Sequence, residues 1–179
     1  EKTFLKKNIP YDISTNSSFF SRPEIKDLLS YLRLIVNPDD NHAFIRILNI
    51  PHRQIGLTTL NKLEELASKK NKSLFQISND IEIKKILRER TVKKIKDFIY
   101  WIKKIIKLSL LKEDIILDKI INDIKYELWL TKILKEPKKI KTSINNIYTL
   151  SNWLKEMLRG NEFEKPMNLL QIVKKMTLR

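Results

Sequence analysis

The chain has 179 residues, enough for one sizeable core. Its 36 Lys+Arg against 21 Asp+Glu give a formal net charge of +15. The absence of cysteine excludes disulfides, Cys-ligated zinc and thiol catalysis, and only two glycines argue against a Gly-rich phosphate loop or a turn-rich β fold. The cationic excess suits a polyanionic partner, with nucleic acid the commonest, but 28 of those cations are lysine, which coding drift toward AT also produces. Charge alone therefore selects no partner.

Residues 1–3 open without the apolar core of a secretory signal, and no apolar run reaches the roughly 18 residues a bilayer span needs. The longest, around 101–111, is interrupted by Lys103, Lys104 and Lys107. The expectation is a cytoplasmic protein.

Residues 3–8 read as the end of a helix begun upstream, and 9–13 as a short strand with Pro10 at its start. Such a strand needs a sheet to satisfy its backbone. Ser21 and Glu24 form an S-x-x-E capping box with Pro23 in the first turn, opening a helix with Leu28, Leu29, Leu32, Ile35 and Val36 on one face. Glu24 and Asp27 read as helix-start charges. Asn37-Pro38-Asp39-Asp40 breaks that helix and caps a second, short one carrying Ala43, Phe44, Ile47 and Leu48. Residues 50–56, IPHRQIG, make a tight apolar turn, and Thr58 caps a third helix over 59–69. Ser73 caps a short helix with Leu74, Phe75 and Ile77, and 81–87 is another short piece. The longest helix starts at Thr91, with Val92, Ile95, Phe98, Ile99, Ile102, Ile105, Ile106 and Leu110 inward and lysines mostly outward. One helix spans 114–131, 135–138 is a breaker, and 140–159 is a helix stopped by Gly160. A last helix covers 169–176.

The run FFSRPEIKDLLSYLRLIVNPDDNHAFIRILNIPHRQIGLTTL, residues 19–60, resembles the UvrD/Rep/PcrA family of superfamily-one DNA helicases. There an FFxRxEIKDxLxYLR…NPDD block precedes a turn of the GIG type. The stretch PMNLLQIV at 166–173 and the final TLR also resemble the end of the family's 2B subdomain. The resemblance implies a mainly α fold: a helical 2B-type subdomain over 36–179 with a helix-hairpin-helix-like turn, preceded over 1–35 by a helix–strand remnant of the RecA-like α/β subdomain 2A. Thr15 and Asn16 stand where the family usually has two glycines. A parent of this kind uses ATP and Mg²⁺ to move 3′ to 5′ on single-stranded DNA during replication, and 2B contacts duplex DNA near the single-strand junction and modulates unwinding. The implied partners are that DNA and the remaining helicase subdomains, with no membrane. An interaction or autoinhibitory module without direct DNA contact is the alternative.

The candidate DNA-binding residues are Arg53, Gln54, Ile55, Gly56, Thr58 and Thr59. Glycine lets backbone N–H groups approach a phosphate, a helix N-terminus adds partial positive charge, Arg53 offers a charge-assisted bond and the threonines offer hydroxyls. Gln54-Ile55-Gly56 matches the last two positions of the GIG turn. A plain inter-helix turn is the competing reading. His42 and His52 lie ten apart without metal-ligand spacing, and Asp39 with Asp40 reads as capping. Phe98, Tyr100, Trp101, Tyr126, Trp129, Tyr148 and Trp153 could stack bases but mostly fall at core spacing. No G-x-x-x-x-G-K-[ST] loop and no Walker B acid are present, so no ATP site, catalytic residue, metal or cofactor is expected in this chain.

Overall fold

The computed structural model describes residues 18–160 and 164–177. Helices follow one another in the order α1 (Pro23–Val36), α2 (Asn41–Ile47), α3 (Leu57–Lys70), α4 (Leu74–Ser78), α5 (Ile83–Ile86), α6 (Glu89–Ser109), a 3-10 turn (Glu113–Ile115), α7 (Ile116–Asp123), α8 (Tyr126–Ile133), α9 (Pro137–Arg159) and α10 (Leu169–Thr177). No strand occurs among the described residues, in agreement with a mainly α fold. The helix end expected at 3–8 and the strand at 9–13 lie outside them.

α1 is the axis of the core. Ile25, Leu28, Tyr31, Leu32 and Leu34 are each fully buried, and the helix packs against α2, α6, α7, α9 and α10. A helix apolar on most of its circumference must be enclosed by others rather than lie on a surface. One apolar cluster runs from Phe19 through Met176.

The polar residues at the start of α1 behave differently from a capping box. Ser21 Oγ donates to the Ser18 carbonyl at 2.8 Å, and Arg22, the residue at the N-cap, makes no side-chain cap bond. Glu24 and Asp27 are buried rather than solvated. Glu24 accepts from Asn146 Nδ2 at 2.7 Å, and Asn146 Oδ1 accepts from Arg22 Nη1 at 2.8 Å. Asp27 pairs with Arg46 at 2.7 Å and accepts from the Tyr126 hydroxyl at 2.7 Å. Burial pushes the Asp27 carboxyl up, while the Tyr126 and Arg46 bonds pull it back. These acids tie α1 to α2, α8 and α9; a buried charge persists only where such partners replace water.

Other differences have local causes. Asp40 does cap α2, accepting from Ala43 N at 3.0 Å, and Ser73 caps α4, accepting from Gln76 N at 3.2 Å. α3 begins two residues earlier than expected, with Gly56 rather than Thr58 at its N-cap. α9, with 23 residues, is longer than α6, with 21, because Pro137 opens it. A proline at the first helical position needs no N–H partner. The helix expected over 114–131 breaks at Lys125, which adopts φ 51, a left-handed backbone without glycine or proline to announce it. Leu110 lies past the end of α6 and is 81% exposed instead of inward. Among the described residues no helix is long and apolar enough to cross a membrane.

Candidate functional site

The turn between α2 and α3 is assembled by side chains. Asn49 Oδ1 accepts from the backbone N–H of Arg53 at 2.7 Å and of Ile55 at 3.2 Å, which curls the segment over itself. The Ile50–Pro51 peptide is cis. Tyr31, from the middle of α1, donates its hydroxyl to the Ile50 carbonyl. Burial pushes the Tyr31 phenol up and the Arg53 charge opposes it. Ile55 is 4% exposed and anchors the turn in the core.

Arg53 points inward. Its Nη1 donates to the carbonyls of Ile47 and Ile50, both at 2.9 Å, with Leu48 and Pro51 carbonyls at 3.2 and 3.3 Å. Nη2 donates to Tyr31 Oη at 2.9 Å, and the guanidinium sits 4.7 Å from the Phe98 ring centroid. It is a strut that gathers the carbonyls left open where α2 ends. The Ile55 side chain is buried, and its N–H is bonded to Asn49 Oδ1.

Gln54 has a left-handed backbone, with φ 59. That backbone is what a glycine supplies without steric cost; glutamine accepts about 1 kcal/mol of strain to adopt it. Its side chain faces out, with Oε1 accepting from Lys94 Nζ and, at a long 3.4 Å, from Arg90 Nη2.

Gly56 is the opposite case. Its φ of −86 and ψ of 173 suit any residue, and a Cβ built there meets no atom within 4 Å. Neither backbone conformation nor internal space requires glycine. The helix behind it carries no side-chain cap, Thr58 is exposed and Thr59 half-buried. An uncapped N-terminus leaves amide protons directed outward, with partial positive charge behind them. Gln54, Gly56 and Thr58 are thus exposed, while Arg53 is half-buried and Ile55 buried.

Sequence reasoning missed Asn49, Tyr31, Arg90 and Lys94. Asn49 beside a proline turn is a recognisable local hydrogen-bonding signal. Arg90 and Lys94 lie 36 and 40 residues from Gln54, which no local pattern reveals.

The remaining candidates resolve into structure. Asp39 Oδ1 accepts from Ser73 Oγ at 2.5 Å and from Gln76 Nε2 at 3.0 Å, while Asp40 pairs with Arg33 at 2.7 Å. His52 is exposed, with Nδ1 3.3 Å from Asn49 Nδ2. No group of three or more His, Cys, Asp or Glu that could hold a metal occurs among the described residues. Phe98 and Tyr126 are buried, and Trp101, Trp129 and Trp153 are half-buried against the core, while Tyr100 and Tyr148 are exposed. An open polar hollow of about 610 Å³ lies between Asp39 and the α3–α4 junction, and an apolar one of about 370 Å³ between α1, α8 and α9. Neither is lined by the turn.

The family described as the UvrD-like helicase C-terminal domain matches residues 1–179. The chain is 64% identical over all its 179 residues to the ATP-dependent DNA helicase Rep of Buchnera aphidicola subsp. Acyrthosiphon pisum, of which it covers 28%. It is 42% identical, again over 179 residues, to the ATP-dependent DNA helicase Rep of Escherichia coli K12, covering 27% of that protein. Over 82 residues, 46% of the chain, it is 43% identical to the ATP-dependent DNA helicase PcrA of Bacillus subtilis, covering 11% of it. The chain therefore spans between a quarter and a third of the length of the Rep relatives it matches.

Proposed function

Since the chain belongs to the family of UvrD-like helicase C-terminal domains, we propose that it works as the 2B-type subdomain of a Rep-like ATP-dependent 3′–5′ DNA helicase in replication. Its residues 1–35 come from the adjoining 2A subdomain. Its outer turn, with Gln54, Gly56, Thr58 and Thr59, rests on duplex DNA near the single-strand junction and so modulates unwinding. ATP and Mg²⁺ belong to the motor subdomains of the parent.

The observation that carries this reading is Gly56. It is a glycine that the fold itself does not need, placed at an uncapped helix N-terminus on an exposed surface. A bare backbone there lets a phosphate reach the amide protons, and such contacts position a duplex without reading its sequence.

Gly56→Asp tests it. Aspartate is a favoured N-cap and has room, so the fold should hold, whereas a carboxylate facing a phosphate should weaken duplex binding roughly fivefold to tenfold. Unchanged duplex affinity in a folded Gly56→Asp protein would overturn the reading.

A second reading, a docking module for a protein partner, is favoured by Leu110 and Leu111, which are 81% and 82% exposed where α6 ends. Capture of a partner that survives high salt and is lost in Leu110→Ser/Leu111→Ser would favour it, since DNA contacts weaken steeply with salt and an apolar interface does not.

A further inference from the structure

The cations of this chain are not equivalent. Around the α3–α6 side of the molecule, Lys70 pairs with Glu82 at 3.0 Å and Lys72 with Asp80 at 3.1 Å. Lys96 turns its amine onto the Asn79 and Asp80 carbonyls, at 2.7 and 3.2 Å. These positive charges are used within the fold. Arg90 and Lys94 are held differently: among the described residues, neither forms an ion pair with a carboxylate, and both converge on one side-chain amide oxygen, Gln54 Oε1.

Two like charges are drawn to a single amide oxygen, which offers partial negative charge against two full positive ones. They sit one helical turn apart on α6, so both side chains leave the same face. The acceptor that holds them belongs to the exposed turn that leads into α3, two residues before Gly56.

We propose that Arg90 and Lys94 form a phosphate-binding pair for the backbone of duplex DNA, with the Gln54 amide keeping both side chains extended until phosphates replace it. The proposal rests on the duplex-facing reading of the turn and names its charged ligands, a part that Arg53, turned inward, does not play. Two cations displaced along a helix suit successive phosphates of one strand. Nothing in the arrangement reads bases, so the binding is independent of sequence.

The test measures the salt dependence of duplex affinity for the 179-residue chain, using a fluorescent duplex of arbitrary sequence. The variants are Arg90→Gln/Lys94→Gln, the charge-matched control Lys103→Gln/Lys104→Gln farther along α6, and Gly56→Asp. All four glutamine sites lie on the exposed side of α6 or at its edge. Each lost phosphate contact lowers the slope of log affinity against log salt by about 0.9, so the first pair should lower it by roughly 1.8 and the control pair by much less. Equal reductions from both pairs would show a net-charge effect and overturn the proposal. An unchanged slope in Arg90→Gln/Lys94→Gln, with duplex affinity still weakened by Gly56→Asp, overturns the pair and leaves the turn reading standing. No measurable duplex binding by the unaltered chain overturns both.

Discussion

The two glycines occupy turns built on opposite plans. At the end of α9, Gly160 adopts φ 69, and a Cβ added there would lie 2.6 Å from Pro166 N and 2.7 Å from the Glu164 carbonyl oxygen. The chain folds back so closely that Met167 N donates to the Met157 carbonyl at 3.0 Å. Only glycine fits. At the other turn the fold is held by Asn49, Tyr31 and Arg53, while Gly56 stands in open space with an ordinary backbone. One glycine is consumed by the architecture and the other leaves a surface bare. The same residue type thus indicates a structural demand in one place and an outward one in the other, and its Cβ environment separates the two.

Four substitutions sharpen or break that contrast. Gly160→Ala should cost the most, about 3 kcal/mol, from a left-handed backbone combined with a clash against backbone atoms, read as a lower denaturant midpoint. A loss below about 1 kcal/mol would mean the Gly160 turn relaxes easily and the contrast is weaker than drawn. Arg53→Ala should cost about 2 kcal/mol, because the carbonyls of Ile47 and Ile50 lose a charged donor. The fraction that remains folded should keep the salt slope of duplex binding. A normal melting temperature with a reduced slope would instead restore Arg53 as a phosphate ligand. Gln54→Gly should stabilise by about 1 kcal/mol in the same assay by relieving the positive φ; destabilisation would mean that the Gln54 bonds to Arg90 and Lys94 hold the turn. Gly56→Asp should change stability least, by about 0.5 kcal/mol and in the favourable direction, as a cap and a dipole partner at the start of α3. Significant unfolding there would place Gly56 with Gly160 as a structural glycine.

What was legible from residue order was what is encoded within one or two helical turns. The apolar repeat from Val92 to Leu110 predicts the buried face of α6: Val92, Ile95, Phe98, Ile99, Ile102 and Ile105 are buried, Ile106 is half-buried, and Leu110, past the helix end, is exposed. Asp40, Ser73 and Gly160 marked helix ends because capping acts over three or four residues. The run over 19–60 is long enough to point to the helicase family. Tertiary packing alone decided which charges face inward. Glu24 and Asp27 looked like exposed acids at a helix start, and their burial depends on Asn146, Tyr126 and Arg46, up to 122 residues away. Arg53 looked free to reach a phosphate until Tyr31 and Phe98 closed around it, and Arg90 and Lys94 looked like two more surface cations until the fold set them beside Gln54. Caps and periodicity are properties of neighbouring residues along one helix. The direction of a long charged side chain depends on which distant carbonyls, rings and carboxylates lie within hydrogen-bonding reach, and only the packed chain brings those together.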